Sequence, residues 1–109
     1  MASVIKVVQG DEKPDITLTL TDQVTGNAID LSSVTTIVRV KFRSAGSEDA
    51  PSVITCTKVD AANGVVRFDF SGNVLSVEPG MYEAEVEVDF NGATHTVYDV
   101  LKFRVRAEF

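Results

Sequence analysis

Any chemistry this chain performs has to come from a small set of side chains. Between Met81 and Asn91 acids alternate with apolar residues: Glu83, Glu85, Glu87 and Asp89 against Tyr82, Ala84, Val86, Val88 and Phe90. Asp11, Glu12 and Asp15 form a second acidic group. Oxygen donors in such numbers suggest Ca²⁺, which takes six to eight oxygens converging on one point. Same-face residues of a strand lie about 6.6–7 Å apart, too spread for one ion, and the Asp-x-Asp-x-Asp-Gly loop spacing is absent. The carboxylates therefore read as a solvated face paired across a sheet with basic neighbours, and neither metal nor cofactor is expected.

The other reactive groups are isolated. His95 is the only histidine, so no His pair exists for zinc; it reads as a hydrogen-bonded, half-buried residue near a sheet end. Cys56 is the only cysteine and cannot form an internal disulfide, so it is expected to pack in or beside the core. No G-x-S-x-G nucleophile motif and no glycine-rich phosphate loop appears. A catalytic role is not expected.

Charge narrows the partners. Sixteen acidic residues outnumber ten basic ones, for a net charge of −6, which argues against binding a phosphate backbone. No apolar run approaches the roughly 20 residues of a membrane span, and the start MASVIKVVQGDEKP lacks the core of a signal peptide. The expectation is a soluble product of the cytosol that binds neither nucleic acid nor membrane.

The elements that must position these residues repeat with a period of two. Ile16, Leu18 and Leu20 alternate with threonines, Val38, Val40 and Phe42 with Arg39, Lys41 and Arg43, and Val66, Phe68 and Phe70 with Arg67 and Asp69. Adding Ser3–Val8, Val53–Val59, Tyr82–Phe90 and Val97–Val105 predicts seven strands in one domain, residues 1–109. GNVLSVEPG has room for one helical turn. Asn63-Gly64 and Asn91-Gly92 can close tight hairpins, and Ser44–Ser52 is expected to be the least ordered segment. Short strands with a turn signal every 8 to 12 residues or so indicate a sandwich or a barrel.

In an immunoglobulin-like sandwich the sixth strand lies between the third and the seventh. The sixth here is the acidic strand, the third carries Arg39, Lys41 and Arg43, and the seventh carries Lys102, Arg104 and Arg106. Opposite charges across such a ladder contribute roughly 0.2–1 kcal/mol each, towards the low end when exposed. Glu85 and Glu87, with Arg39 and Lys41, are thus assigned a structural role. A two-residue turn at Asn91-Gly92 pairs Phe90 with Ala93, His95 with Val88, and Glu83 with Val100. Lys102 then reaches Glu83 only diagonally, and Arg104 and Arg106 overhang the acidic strand. That overhang needs the N-terminal strand or a neighbouring subunit. Tyr82, two residues after Pro79-Gly80, is similar to the tyrosine corner that ties down a nearby turn at the start of a sixth strand.

Several short stretches resemble the N-terminal domain of phage baseplate upper proteins and related small tail-associated proteins. The matches are Gly10, Asp11 and Pro14, Leu18 to Asp22, then Gly26, Ile29, Asp30 and Leu31. Asp60, Ala61, Gly64, Val65 and Val66 follow, then Pro79, Gly80, Tyr82, Ala84 and Glu85. The resemblance spans nearly the whole chain and rests on turn and strand residues. It implies an all-β, immunoglobulin-like antiparallel β-sandwich of about seven strands in a virion. There it would join other structural proteins or carry a host-binding part. Longer members continue into receptor-binding regions, so a chain ending at Phe109 would act as a free-standing adaptor, a decoration, or a link to a fibre.

The expected function is a non-enzymatic virion component of a tail, baseplate, neck or head-fibre apparatus. It would be synthesised in the host cytoplasm and partnered by other virion proteins as a homo-oligomer or symmetric assembly. Candidate contact residues are Val4, Ile5 and Val7 in the N-terminal strand and Arg104, Arg106 and Phe109 at the C-terminal end. The alternatives are a capsid decoration protein and a host-surface or carbohydrate-binding module, the last needing outward aromatics such as Tyr98 for stacking on sugars.

Overall fold

The computed structural model describes residues 4–97 and 100–109. Alternation sets nine strands: β1 Val4–Val8, β2 Ile16–Thr19, β3 Thr36–Ser44, β4 Ser52–Thr55, β5 Thr57–Asp60, β6 Val65–Phe68, β7 Gly80–Phe90, β8 Ala93–Thr96 and β9 Leu101–Arg106. One sheet runs β1-β9-β7-β3-β4, with β8 also on β7; the other runs β2-β6-β5. The order is that of an immunoglobulin-like sandwich. β2, β6 and β5 take the places of strands B, E and D, and β3, β7 and β9 those of C, F and G.

Each inward row follows from the period of two. Val38, Val40 and Phe42 of β3, Tyr82, Ala84, Val86 and Val88 of β7, and Phe103 and Val105 of β9 are buried. They meet Val66 and Phe68 of β6 and the loop residues Leu20, Ile29, Leu31, Phe70 and Leu75. Burying a Val, Leu or Phe side chain contributes about 1.5–3 kcal/mol, so this row determines which side of each strand faces out.

The structure departs from the expected elements in four places. The segment Val53–Val59 is two strands in different sheets, β4 on β3 and β5 on β6, with the switch at Cys56, whose N–H donates to the Val38 carbonyl at 2.8 Å. The last strand is likewise two: Glu87 faces Thr96, while Glu83 faces Lys102 directly and not Val100. With Glu87 opposite Thr96 and Ala84 opposite Leu101, the register shifts by two residues between β8 and β9, and an even shift leaves the side chains of β9 on their expected faces. Thirdly, β1 joins β9 in parallel, so the sandwich is not wholly antiparallel. Finally, the one helical turn is a 3₁₀ turn at Ala61–Asn63 before Gly64, and GNVLSVEPG forms turns. Ser3, Tyr98 and Asp99 lie outside the described residues.

Candidate interaction surface

The outward face of the larger sheet holds most of the chain's paired charge. β7 faces β3 in register, with Arg39 opposite Glu87, Lys41 opposite Glu85 and Arg43 opposite Glu83. The ion pairs run partly along the diagonals. Lys41 Nζ lies 2.7 Å from Glu87 Oε2, Arg39 Nη1 lies 3.4 Å from Asp89 Oδ2 and 3.9 Å from Glu87 Oε1, and Arg43 Nε lies 3.9 Å from Glu83 Oε1. Glu87 is the hub, only 18% exposed, whereas Glu85 is exposed and in no ion pair among the described residues. The ladder thus includes Arg39, Lys41 and Glu87 but leaves out Glu85. Its carboxylates are turned towards basic side chains and away from a common point.

Replacing Glu85 and Glu87 together with Lys should lower stability by roughly 1–2 kcal/mol. Two favourable pairs are lost, and the Glu87→Lys change sets a third base beside Arg39 and Lys41. Urea unfolding of the parent and the double variant checks this, and millimolar Ca²⁺ should leave both midpoints unchanged.

Both ends of β7 are fastened. At its start the Tyr82 hydroxyl donates to the Glu78 carbonyl at 2.6 Å, four residues upstream, which ties the strand to the preceding turn. Burial, and then the Glu78 carboxylate, push the phenol pKa up, so the hydroxyl stays a donor. At its end Asn91 (φ +55°) and Gly92 (φ +104°) form the tight hairpin. Gly92 N–H donates to Asp89 Oδ1 at 2.7 Å. That bond, and then Arg39, hold the Asp89 carboxyl below its usual pKa.

The candidate contact residues divide by side. On β1, Val4 and Lys6 are exposed, Ile5 is half-buried against the core, and Val7 is 4% exposed opposite Val105. Val7 is therefore core and not contact surface. On β9, Arg104 and Arg106 are exposed, and Arg106 lies beside the fully exposed Phe109 with its guanidinium carbon 5.3 Å from the ring centre. Arg104 does not overhang β7 as expected but faces Met81, because the register is shifted by two residues. Arg106 runs past Gly80, and the chain's own N-terminal strand flanks both, with Lys6 opposite Arg104 and Val8 opposite Arg106. The groove there is lined by Lys6, Val7, Val8, Arg104 and Arg106. Sequence reasoning passed over Lys6; its signal was a basic residue between outward Val4 and Val8 on a first strand.

Elsewhere, the reactive groups stay apart. Cys56 packs against the core, and burial pushes its thiol pKa up to about 12, which keeps it protonated and unreactive. His95 opposes Val88 as expected and is half-buried, but it makes no side-chain hydrogen bond among the described residues. Among those residues no three His, Cys, Asp or Glu side chains gather as a metal site. No helix there is long and apolar enough to cross a membrane.

No protein-family model and no curated protein matches the chain. Among solved structures, the N-terminal domain of phage TP901-1 ORF48 superposes with a TM-score of 0.62. The match covers 98% of this chain and 86% of that one at 16% identity. At that identity the likeness is one of fold: the sandwich is of a kind found in a phage protein domain.

Proposed function

We propose that this chain is a non-enzymatic structural component of a phage virion, an adaptor or assembly protein of the tail, baseplate, neck or head-fibre apparatus. The observation that carries the reading is the likeness of nearly the whole chain to the N-terminal domain of a phage protein. The side chains agree with it. Three of the four carboxylates of the acidic strand are paired within their own sheet, the one thiol is held protonated, and the one histidine faces a buried valine. What remains for partners is edge and face, as suits a protein that works by assembly.

Partners on this reading are other virion proteins, with the chain repeated by the symmetry of the particle. A sugar-binding role would want outward aromatic rings, and among the described residues the exposed one is Phe109, at a strand end and not in a groove. Mass spectrometry of gradient-purified particles tests the reading. The protein should copurify with the particle at a fixed ratio to the major structural proteins; abundance in infected cells without any in particles would overturn it.

A further inference from the structure

The outer face of the larger sheet alternates in charge from strand to strand, and the alternation stops at an open edge. β3 presents Arg39, Lys41 and Arg43, β7 presents Glu83, Glu85, Glu87 and Asp89, and β9 presents Lys102, Arg104 and Arg106, with Lys6 of β1 beside Arg104. On the β3 side the bases are used: the ion pairs among the described residues all involve Lys13, Arg39, Lys41 or Arg43. On the other side they are not. Lys6, Lys102, Arg104 and Arg106 are four of the ten basic residues in an acidic chain, and none is in an ion pair among the described residues. Lys102 stands opposite Glu83 in register, yet Glu83 turns to Arg43. Arg104 finds only the Met81 sulfur, at 3.9 Å, and Arg106 the Ala107 carbonyl and the Phe109 ring, none of them an acid.

β1 is also an edge strand, paired with β9 on one side only. An edge offers backbone donors and acceptors for an added strand, and side chains beside it set which strand is accepted. We propose that the β1 edge, with Lys6, Arg104 and Arg106, docks an extended acidic segment of a different polypeptide, one with carboxylates on alternate residues. The proposal rests on the structural reading above and names the chemistry of one partner.

Charge selects against a second copy as the occupant. An antiparallel pairing of two β1 strands about Lys6 puts that lysine against its own copy, and like charges directly opposite destabilise a ladder. Among the described residues the other edges offer no acidic row: β2, β4 and β8 carry no Asp, Glu, Lys or Arg, and β5 carries one base and one acid, Lys58 and Asp60. The one strand of suitable pattern, β7, is already in the sheet centre.

That strand supplies the probe. A blocked peptide EAEVEVDF, copied from Glu83–Phe90, is titrated into the ¹⁵N-labelled full chain. A control peptide has its acids replaced by Gln and Asn. The acidic peptide should shift the amides of Val4–Val8 and Leu101–Arg106, bind at least about tenfold more tightly than the control, and weaken steeply with salt. Lys6→Glu with Arg104→Glu should abolish the shifts while the thermal midpoint stays close to that of the parent. Equal binding of both peptides, shifts elsewhere, or none at millimolar peptide would overturn the proposal. In the last case Lys6 only guards the edge against self-pairing. Equally tight, salt-sensitive binding of a single-stranded DNA at the same residues would overturn it too, since the face would then read polyanions generally. A protein found in particles but blind to the acidic peptide defeats this inference alone. One that binds the peptide but is missing from particles defeats the function reading alone.

Discussion

Replacing Phe70 with Ala is expected to cost about 3–5 kcal/mol of folding stability, a large part of the roughly 5–15 kcal/mol that holds a domain of this size. Phe70 is fully buried and meets Phe42, Phe68 and Phe103 edge-on, with ring centres 5.8–6.1 Å apart. Phe42 in turn stacks on Tyr82 at 5.1 Å. These rings join the two sheets. Phe68 belongs to the smaller one, and Phe42, Tyr82 and Phe103 belong to the larger. Truncating Phe70 opens a void at the point where the sheets are held together, and the surrounding strands, fixed by their ladders, cannot collapse into it. Chemical denaturation measures the loss. Phe70→Leu, which keeps most of the volume, should cost less than half as much, and a cost below about 1 kcal/mol for the Ala variant would show that the cluster does not join the sheets.

Gly64→Ala is expected to cost about 3 kcal/mol, more than backbone strain alone provides. Gly64 has φ +72°, a left-handed conformation that disfavours a Cβ by about 1–2 kcal/mol. A Cβ there would also sit 2.6 Å from the Leu20 carbonyl oxygen and 2.9 Å from that of Ile29. Those are backbone atoms in a network of close contacts. Leu20 N–H donates to the Gly64 carbonyl at 2.8 Å, and Ile29 N–H to the Leu20 carbonyl at 2.9 Å. Making room means moving two buried segments at once. Gly26→Ala separates the two causes, because Gly26 has φ +74° but nothing within 4 Å of its Cβ position. That variant should lose only about 1 kcal/mol; equal losses at the two sites would mean that the close approach contributes nothing.

How far these features can be read in the sequence depends on whether they are local. The row Tyr82 to Phe90 and the rows Val38 to Phe42 and Val66 to Phe68 announce their buried sides, because a period of two needs no knowledge of the partner. The charge pattern then places β7 beside β3, since an acidic strand and a basic one favour each other. The resemblance to the phage domains points to the same sandwich. The hairpin at Asn91-Gly92 fixes His95 opposite Val88 through turn chemistry alone.

What escaped depends on the third dimension. No residue type marks Cys56 as the point where one apolar run leaves one sheet for the other. The two-residue register shift between β8 and β9 is invisible because an even shift preserves the alternation. Lys41 prefers Glu87 to Glu85, its partner in register, because side chains choose by reach and sheet twist. Val7 reads as available on a terminal strand, yet the parallel pairing with β9 turns it into the core. The same pairing leaves Lys6 outside, next to Arg104. The edge becomes visible only once that pairing is known.

On the reading proposed above, the acidic strand belongs to the scaffold and the β1–β9 edge meets the neighbours. Electron cryo-microscopy of the purified particle tests this division most directly. Density for this sandwich should be found in the virion, with β1 and the side chains of Lys6, Arg104 and Arg106 against an extended acidic segment of another chain. Glu87 should still be turned to Lys41 and Arg39 of its own chain. A particle without the domain, or one in which the β7 carboxylates form the contact while the β1 edge faces solvent, would contradict it.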